Sequence, residues 1–263
     1  MPYAICGANQ VEYFVEGKGT TIVLVHGTGG DASSNWDAIA TELAKHWTVV
    51  RPNYSGSGET QVGNAPLDVN ILSHQIEAVL NALDKDKFHL VGFSLGAAVS
   101  IDLSSRLQHR IQSLVLINGF AGMDSRSNFE FTLWRHLIDK DRHALAKLIL
   151  LTGFTQSWFE QFSESDLESI VEDMVCQTNW EGMKAQVDID LSIDVRTEAS
   201  TITVPVLVIA SQQDQMVPLS AGKELVHLMP HARYISVDSG HLIPMEHPEL
   251  VVKYLTDFLY APS

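Results

Sequence analysis

The strongest constraint on the fold comes from four short runs that are almost continuously apolar. These runs are Thr21–His26, Phe88–Phe93, Ser113–Ile117 and Val204–Ala210. Strands that are covered on both faces show such runs, because neither face meets water. Helical patterns of about 10–15 residues lie between the runs, and this alternation predicts βαβ units and a mainly parallel sheet.

The other predicted elements complete this alternation. Three further β-rich runs are predicted as strands: Val11–Val15, Thr48–Arg51 and Arg233–Val237. The predicted helices are Trp36–His46, Val69–Leu83, Leu95–Leu107, Ala221–Leu228 and Pro248–Leu259. A chain of 263 residues with 45% hydrophobic and 19% charged side chains is long enough to bury one sizeable core.

The alternation breaks once, between Phe120 and about Asp190, where helical patterns occur without a strand-like run. We expect one or two helices over Phe129–Gly153 and another over Glu164–Val175, with Ser163 as its N-cap. This interval holds 9 of the 21 aromatic residues, so it either packs a small core of its own or faces a cleft. We predict that aromatics of this insertion line a substrate pocket, and the candidates are Phe120, Trp134 and Trp158.

A Gly-x-Ser-x-Gly pattern occupies residues 92–96, between a predicted strand and the helix that follows it. In this context the pattern is typical of a nucleophile elbow, a strained turn that presents a serine hydroxyl. Backbone then approaches so closely that the glycine positions must lack side chains. The helix behind the turn points unpaired N–H groups at developing negative charge. Ser94 is therefore the predicted nucleophile.

A nucleophilic serine needs a general base and an acid that orients the base. His241 follows the last predicted strand and Asp214 follows the fourth apolar run, so both lie where active sites of open α/β sheets gather. The chain order Ser94, Asp214, His241 is the one expected for an elbow of this type. His247 is an alternative base, and Asp124, at the start of the insertion, is an alternative acid.

Glycines also surround Thr28, directly after the first apolar run. They allow the backbone to approach a substrate oxygen, and we predict that the amides of Thr28 and Leu95 form an oxyanion hole. His26 is expected to brace this loop rather than to act as the base, because His241 holds that position.

These patterns together resemble the α/β-hydrolase superfamily over essentially the whole chain. The similarity lies in residues 23–27 with Trp36, the turn 51–58, the segment 204–218 and the tail 240–248. The resemblance implies an eight-stranded, mostly parallel sheet with a helical lid after the sixth strand. Residues 1–119 and 191–263 would form the core and residues 120–190 the lid. Asn53 departs from the usual aspartate of the family, at a position that braces a turn.

A serine nucleophile favours acyl transfer to water, whereas epoxide hydrolases and haloalkane dehalogenases of this fold use aspartate. The main hypothesis is a carboxylic ester hydrolase that forms an acyl-enzyme with a small to medium apolar substrate. The alternatives are a thioesterase, a hydrolase of carbon–carbon bonds, and a ligand receptor of the same fold with slow turnover.

Charge and composition bear on partners and location. Counting 17 basic and 32 acidic residues gives a net charge of −15, which disfavours binding to nucleic acid or anionic lipid. No apolar run approaches the ~20 residues that span a bilayer. The N-terminal residues up to Gly17 lack a basic segment followed by an apolar stretch, so we expect no signal peptide. We therefore expect a cytoplasmic protein whose partner is a small-molecule acyl substrate. Neither a metal cluster nor a dinucleotide loop is indicated, so no cofactor is expected, and the oligomeric state is undefined.

Overall fold

The computed structural model describes residues 2–63 and 66–260; the remaining positions of the predicted core, residues 1, 64–65 and 261–263, lie outside the described residues. The strands are β1 (Tyr3–Cys6), β2 (Asn9–Gly17), β3 (Thr21–Val25), β4 (Thr48–Pro52), β5 (Phe88–Phe93), β6 (Ile111–Ile117), β7 (Val206–Ser211) and β8 (Arg233–Val237). They form one sheet in the order β1-β2-β4-β3-β5-β6-β7-β8. Strands β3 to β8 are parallel to one another, whereas β2 pairs antiparallel with both β1 and β4. The predicted eight-stranded, mostly parallel sheet is confirmed.

Helices alternate with these strands. In chain order they are α1 (Asp37–Leu43), α2 (Val69–Ala82), α3 (Leu95–Leu107), α4 (Ser125–Lys140), α5 (Arg142–Gly153), α6 (Gln156–Phe159), α7 (Glu164–Gln177), α8 (Trp180–Asp190), α9 (Arg196–Ser200), α10 (Leu219–Leu228), α11 (Ile243–Glu246) and α12 (Pro248–Leu259). No helix within residues 2–63 or 66–260 is both long and apolar enough to cross a membrane.

The sheet is covered on both faces, as its apolar runs predict. Successive side chains of a strand point to opposite faces. In β3, Val23 and Val25 pack in the larger core with α2 and α3, whereas Ile22 and Leu24 pack in a second core with α1 and α12. Every residue of β3 is therefore buried, and the same holds for β7.

The elements that were not predicted are short or lack a strong pattern. Strand β1 is a four-residue edge strand in which Ala4 is buried between the exposed Tyr3 and Ile5. Strand β7 was predicted from Val204 but begins at Val206, because Pro205 has no N–H to donate to the sheet. Helices α8 and α9 were also not predicted from the sequence.

Helices α4 to α8 lie between β6 and β7, within the interval predicted as an insertion. Asp141 separates α4 from α5, since its side chain accepts a hydrogen bond from the amide of Ala144 and caps α5. Ser163 caps α7 as predicted, in a reciprocal capping box with Asp166. An antiparallel bridge between Gly122 and Asp194 brings the two ends of the insertion together. The division into core and lid stays a prediction.

Candidate active site

Ser94 lies in a strained turn between β5 and α3. Its φ of 54° and ψ of −121° belong to a region of backbone conformation that residues other than glycine rarely adopt. A Cβ atom at Gly92 would collide with the carbonyl oxygen of Gly96, and one at Gly96 would collide with the carbonyl oxygens of Val25 and His26. The glycine spacing is therefore a packing requirement of this turn.

The structure brings Ser94, His241 and Asp214 together at the carboxyl ends of β5, β8 and β7. Ser94 Oγ lies 3.0 Å from His241 Nε2, and His241 Nδ1 lies 2.7 Å from Asp214 Oδ2. An ionised carboxylate only accepts hydrogen bonds, so Nδ1 carries the ring proton and Nε2 accepts from the serine hydroxyl. This geometry allows the ring to take the proton of Ser94 as the hydroxyl attacks a substrate.

Asp214 is held by its second oxygen. Its Oδ1 accepts hydrogen bonds from the amides of Met216 and Val217, at 2.9 and 2.7 Å. Its side chain is only 1% exposed. The carboxylate thus caps its own loop and orients His241 at the same time, which leaves it little freedom to turn.

The alternative acid and base have other contacts. Asp124 caps α4, because its Oδ1 accepts from the amide of Ser127 at 2.7 Å. His247 precedes α12 and lies 3.3 Å from Glu249. In the described part of the chain, neither residue hydrogen-bonds to Ser94 or His241.

Two supports of the His241 loop were missed from the sequence. Asn118 Nδ2 donates to the carbonyl oxygen of His241 at 2.7 Å, and Asn118 Oδ1 accepts from the amide of Ser211 at 2.8 Å. Glu246 Oε2 accepts from the amide of Gly240 at 2.9 Å. Asn118 directly follows β6, so the rule that singled out Asp214 would also have found it.

The backbone next to Ser94 contains two amides that point to no internal acceptor. Within the described chain, the amides of Gly27, Gly29 and Gly30 all donate hydrogen bonds, whereas those of Thr28 and Leu95 donate none. Leu95 is the first residue of α3, where an amide has no partner inside the helix. Both amides are therefore able to bind an external oxygen.

His26 braces the loop that carries Thr28. Its Nδ1 donates to the carbonyl oxygen of Gly27 at 2.9 Å, and its ring packs against Tyr54 with centroids 3.9 Å apart. The hydroxyl of Tyr54 donates to the carbonyl oxygen of His26 at 2.8 Å. Complete burial lowers the pKa of His26 to about 4, so the ring is neutral near pH 7.

Ser94 and His241 open onto a cavity of about 410 Å³. Its apolar wall comes largely from the inserted helices, with Phe131, Trp134 and Met183 among its members. Loops after β3 and β4 form the more polar side, where Asp31 and Glu59 are the acidic residues. None of the described residues that line the cavity is lysine or arginine.

Of the three predicted aromatic lining residues, only Trp134 faces this cavity. Phe120 is buried in the larger core and borders a separate surface cavity, so its predicted place was wrong. Trp158 was also placed wrongly: it stacks on Phe154 at 3.9 Å between ring centroids. It belongs to a small core inside the insertion, with Phe162 at 4.6 Å. The aromatic residues of the insertion thus do both things that the sequence left open: some pack a small core of the insertion, and others line the cavity.

Known proteins are similar to this chain in sequence or in structure. The chain is 42% identical over 256 residues to pyrrolizixenacetamide deacetylase of Xenorhabdus hominickii, covering 97% of this chain and 96% of that protein. It is 25% identical to 2-hydroxy-6-oxo-2,4-heptadienoate hydrolase of Pseudomonas putida, covering 98% and 95% of the two chains. The enol-lactonase structure from Burkholderia xenovorans LB400 aligns with a TM-score of 0.89 and 26% identity, covering 99% and 100% of the chains.

A sequence profile of the alpha/beta hydrolase fold matches residues 20–248, which is most of the chain. The relatives are named for hydrolytic reactions. The chain is therefore a hydrolase and belongs to the α/β-hydrolase superfamily.

Proposed function

We propose that the chain is a serine hydrolase that cleaves an ester or amide through an acyl-enzyme. Ser94 Oγ attacks the carbonyl carbon while His241 Nε2 takes the hydroxyl proton. The bond to the leaving oxygen or nitrogen breaks as that proton is returned to it. Water then hydrolyses the acyl-enzyme by the same proton route. The observation that carries the proposal is the pair of distances, 3.0 and 2.7 Å, that joins Ser94, His241 and Asp214.

The tetrahedral intermediates of this reaction carry a negative oxygen, which needs hydrogen-bond donors. In the proposed reaction the amides of Thr28 and Leu95 supply them. Neither amide has an acceptor within residues 2–63 and 66–260, and this supports the role, since a donor that is already engaged would have to break a hydrogen bond first. Asp214 stays ionised and stabilises the imidazolium form of His241.

The cavity favours an uncharged, largely apolar substrate. Its wall contains Trp134 and Phe131, and no lysine or arginine among the described lining residues offers a partner to a carboxylate. Asp31 and Glu59 would instead repel an anion. The deacetylase of Xenorhabdus hominickii is named for an acetamide, which supports a small acyl group on nitrogen or oxygen.

The absence of lysine and arginine from the described lining of the cavity disfavours one alternative in particular. The relative from Pseudomonas putida acts, by its name, on a dienoate, whose carboxylate would need a positive partner. The net charge of −15 similarly disfavours the thioesterase alternative where the acyl group is carried by an acidic protein.

A matched pair of substrates tests the proposed function. We expect kcat/KM for p-nitrophenyl butyrate to exceed that for the anionic mono-p-nitrophenyl succinate by about tenfold or more, because the extra carboxylate meets no lysine or arginine among the described lining residues and is repelled by Asp31 and Glu59. 4-Nitroacetanilide tests amide cleavage. A single stoichiometric burst without turnover would identify a slow receptor, and equal rates for the two esters would contradict the proposed substrate class.

Acyl-chain preference is expected to rise with length and then fall at a limit set by Trp134. Each accommodated methylene adds about 0.8 kcal/mol of binding until the cavity is full. Trp134→Ala should shift that limit to longer chains, measured with p-nitrophenyl esters from acetate to decanoate. Trp158→Ala is the matched control, since Trp158 lies inside the insertion.

Trp158→Ala should keep the parent's chain-length limit and lose stability by about 3 kcal/mol, near the lower end for emptying an aromatic site because this ring is only partly buried. The same chain-length profile in the parent and in Trp134→Ala would show that Trp134 does not limit the acyl site.

A further inference from the structure

Helix α8 of the insertion is bound closely to the two loops that surround the cavity. Gly182 lies against the backbone of Gly56, with no room for a side chain at either position. Gln186 Oε1 accepts from the amide of Gly29 at 2.8 Å. Gln186 Nε2 donates to the carbonyl oxygen of Ser55 at 3.1 Å and to the hydroxyl of Ser57 at 3.0 Å. Helix α8 therefore determines where the loop after β3 lies.

Asp190, the last residue of α8, makes the most unusual of these contacts. Its Oδ2 accepts a hydrogen bond from the hydroxyl of Thr28 at 2.7 Å. The side chain is completely buried, and within the described chain its Oδ1 has no hydrogen-bond partner. No described lysine, arginine or histidine forms an ion pair with it. A charge buried in this way is costly, and burial raises the pKa of Asp190 to about 8.

We propose that Asp190 is a positioning residue that, as a neutral carboxyl, anchors Thr28 so that the Thr28 amide meets the substrate oxyanion. This inference rests on the proposed function, in which that amide is an oxyanion donor. An ionised Asp190 would keep the hydrogen bond from Thr28 but would place a negative charge beside the developing oxyanion. The charge would oppose the very intermediate that the hole stabilises.

The other charged and titratable groups near Asp190 do not replace it in this role. From the loop after β3, His26 is neutral and Asp31 lies at the cavity. From the loop after β4, burial and, once Asp190 has ionised at alkaline pH, its negative charge raise the pKa of Tyr54 well above its usual range. Arg135 of α4 donates to Asp188, an exposed carboxylate on α8, at 2.6 Å. Asp139 of α4 likewise bonds to Lys184 of α8 at 2.6 Å.

The pH dependence of kcat separates Asp190 from a merely structural residue. In the parent protein, kcat should fall about fivefold or more above pH 8 as Asp190 loses its proton. In Asp190→Asn, which stays neutral, this alkaline fall should disappear. Asp190→Ala removes the anchor and should lower kcat about tenfold near pH 7, part of the loss for one oxyanion donor. Asp190→Asn should recover most of that loss.

Asp188→Asn is the matched control, because it removes an exposed carboxylate from the same helix. It should retain the alkaline fall of the parent. Rates are measured with 4-nitroacetanilide or p-nitrophenyl butyrate from pH 5 to 9.5, with spontaneous hydrolysis subtracted. An alkaline fall that persists unchanged in Asp190→Asn would overturn the proposal, as would equal losses in Asp190→Asn and Asp190→Ala.

Protein stability gives a second measurement that needs no turnover. The folded state binds the proton of Asp190 more tightly than the unfolded state, so this group's contribution to stability is lost as pH rises from about 4 to about 8. The melting temperature of Asp190→Asn relative to the parent should therefore rise over that range. If the difference in melting temperature between Asp190→Asn and the parent did not change with pH, Asp190 would not be protonated in the folded protein and the proposal would be overturned. The proposed function is tested separately from the role of Asp190: activity that survives in Ser94→Ala would contradict the serine mechanism itself.

Discussion

Ser94→Ala is expected to leave the fold intact and to lower kcat by about 10⁴-fold or more. The substitution removes only Oγ, the atom 3.0 Å from His241 Nε2, and with it the covalent route. The strained backbone at this position is imposed by the packing around Gly92 and Gly96, which alanine does not disturb. The measurements are kcat with p-nitrophenyl butyrate and the melting temperature.

Ser100→Ala is a matched control for this variant. Ser100 lies on α3, is completely buried, and has a hydroxyl without a partner in the described chain. Its removal should leave kcat near the parent value. More than a tenth of the parent activity in Ser94→Ala would exclude a serine acyl-enzyme.

Asp214→Asn is expected to lower kcat by about 10³–10⁴-fold, for a reason visible in its contacts. Because the amides of Met216 and Val217 donate to Oδ1, the amide oxygen of the new side chain is drawn to that position. Its NH₂ group then faces His241 Nδ1, which must become an acceptor. The ring proton moves to Nε2, and the nitrogen next to Ser94 is no longer able to accept the serine proton.

Asp124→Asn tests the alternative acid. Asparagine caps a helix about as well as aspartate, so α4 should lose only a few tenths of a kcal/mol. The expected loss of kcat is less than about threefold, measured beside Asp214→Asn with the same substrate. If the two variants exchanged their effects, the insertion would supply the acid and the assignment of Asp214 would be wrong.

Features that depend on local order along the chain could be predicted from the sequence. The continuous apolar runs predicted a mostly parallel sheet, since only strands covered on both faces tolerate them. Ser94 follows a predicted strand directly, Asp214 and His241 each come within four residues of the end of one, and the carboxyl ends of parallel strands meet at one edge. The structure accordingly brings these three residues together. Short elements such as β1 were missed because four residues carry too little pattern.

Features that depend on how the insertion packs were decided only by the tertiary structure. Trp134 and Trp158 have the same side chain in the same interval, yet one lines the cavity and the other stacks on Phe154. Hydrophobic patterning shows that an aromatic ring is buried but not against what, because a small core and a cleft bury it equally well.

Asp190 shows the same limit most clearly. Asp190 accepts a hydrogen bond from Thr28, which lies 162 positions away in the sequence. From the sequence alone, an aspartate at the end of a helix is expected to be exposed. The packing of Gly182 on Gly56 holds α8 against the loop after β4, and the carboxyl is buried where α8 meets Thr28 in the loop after β3. The sequence by itself thus determined the sheet and the residues at its carboxyl edge, whose positions follow from local order along the chain. Only the tertiary structure decided which residues of the insertion reach that edge, because contacts between distant segments leave no periodic pattern in either segment.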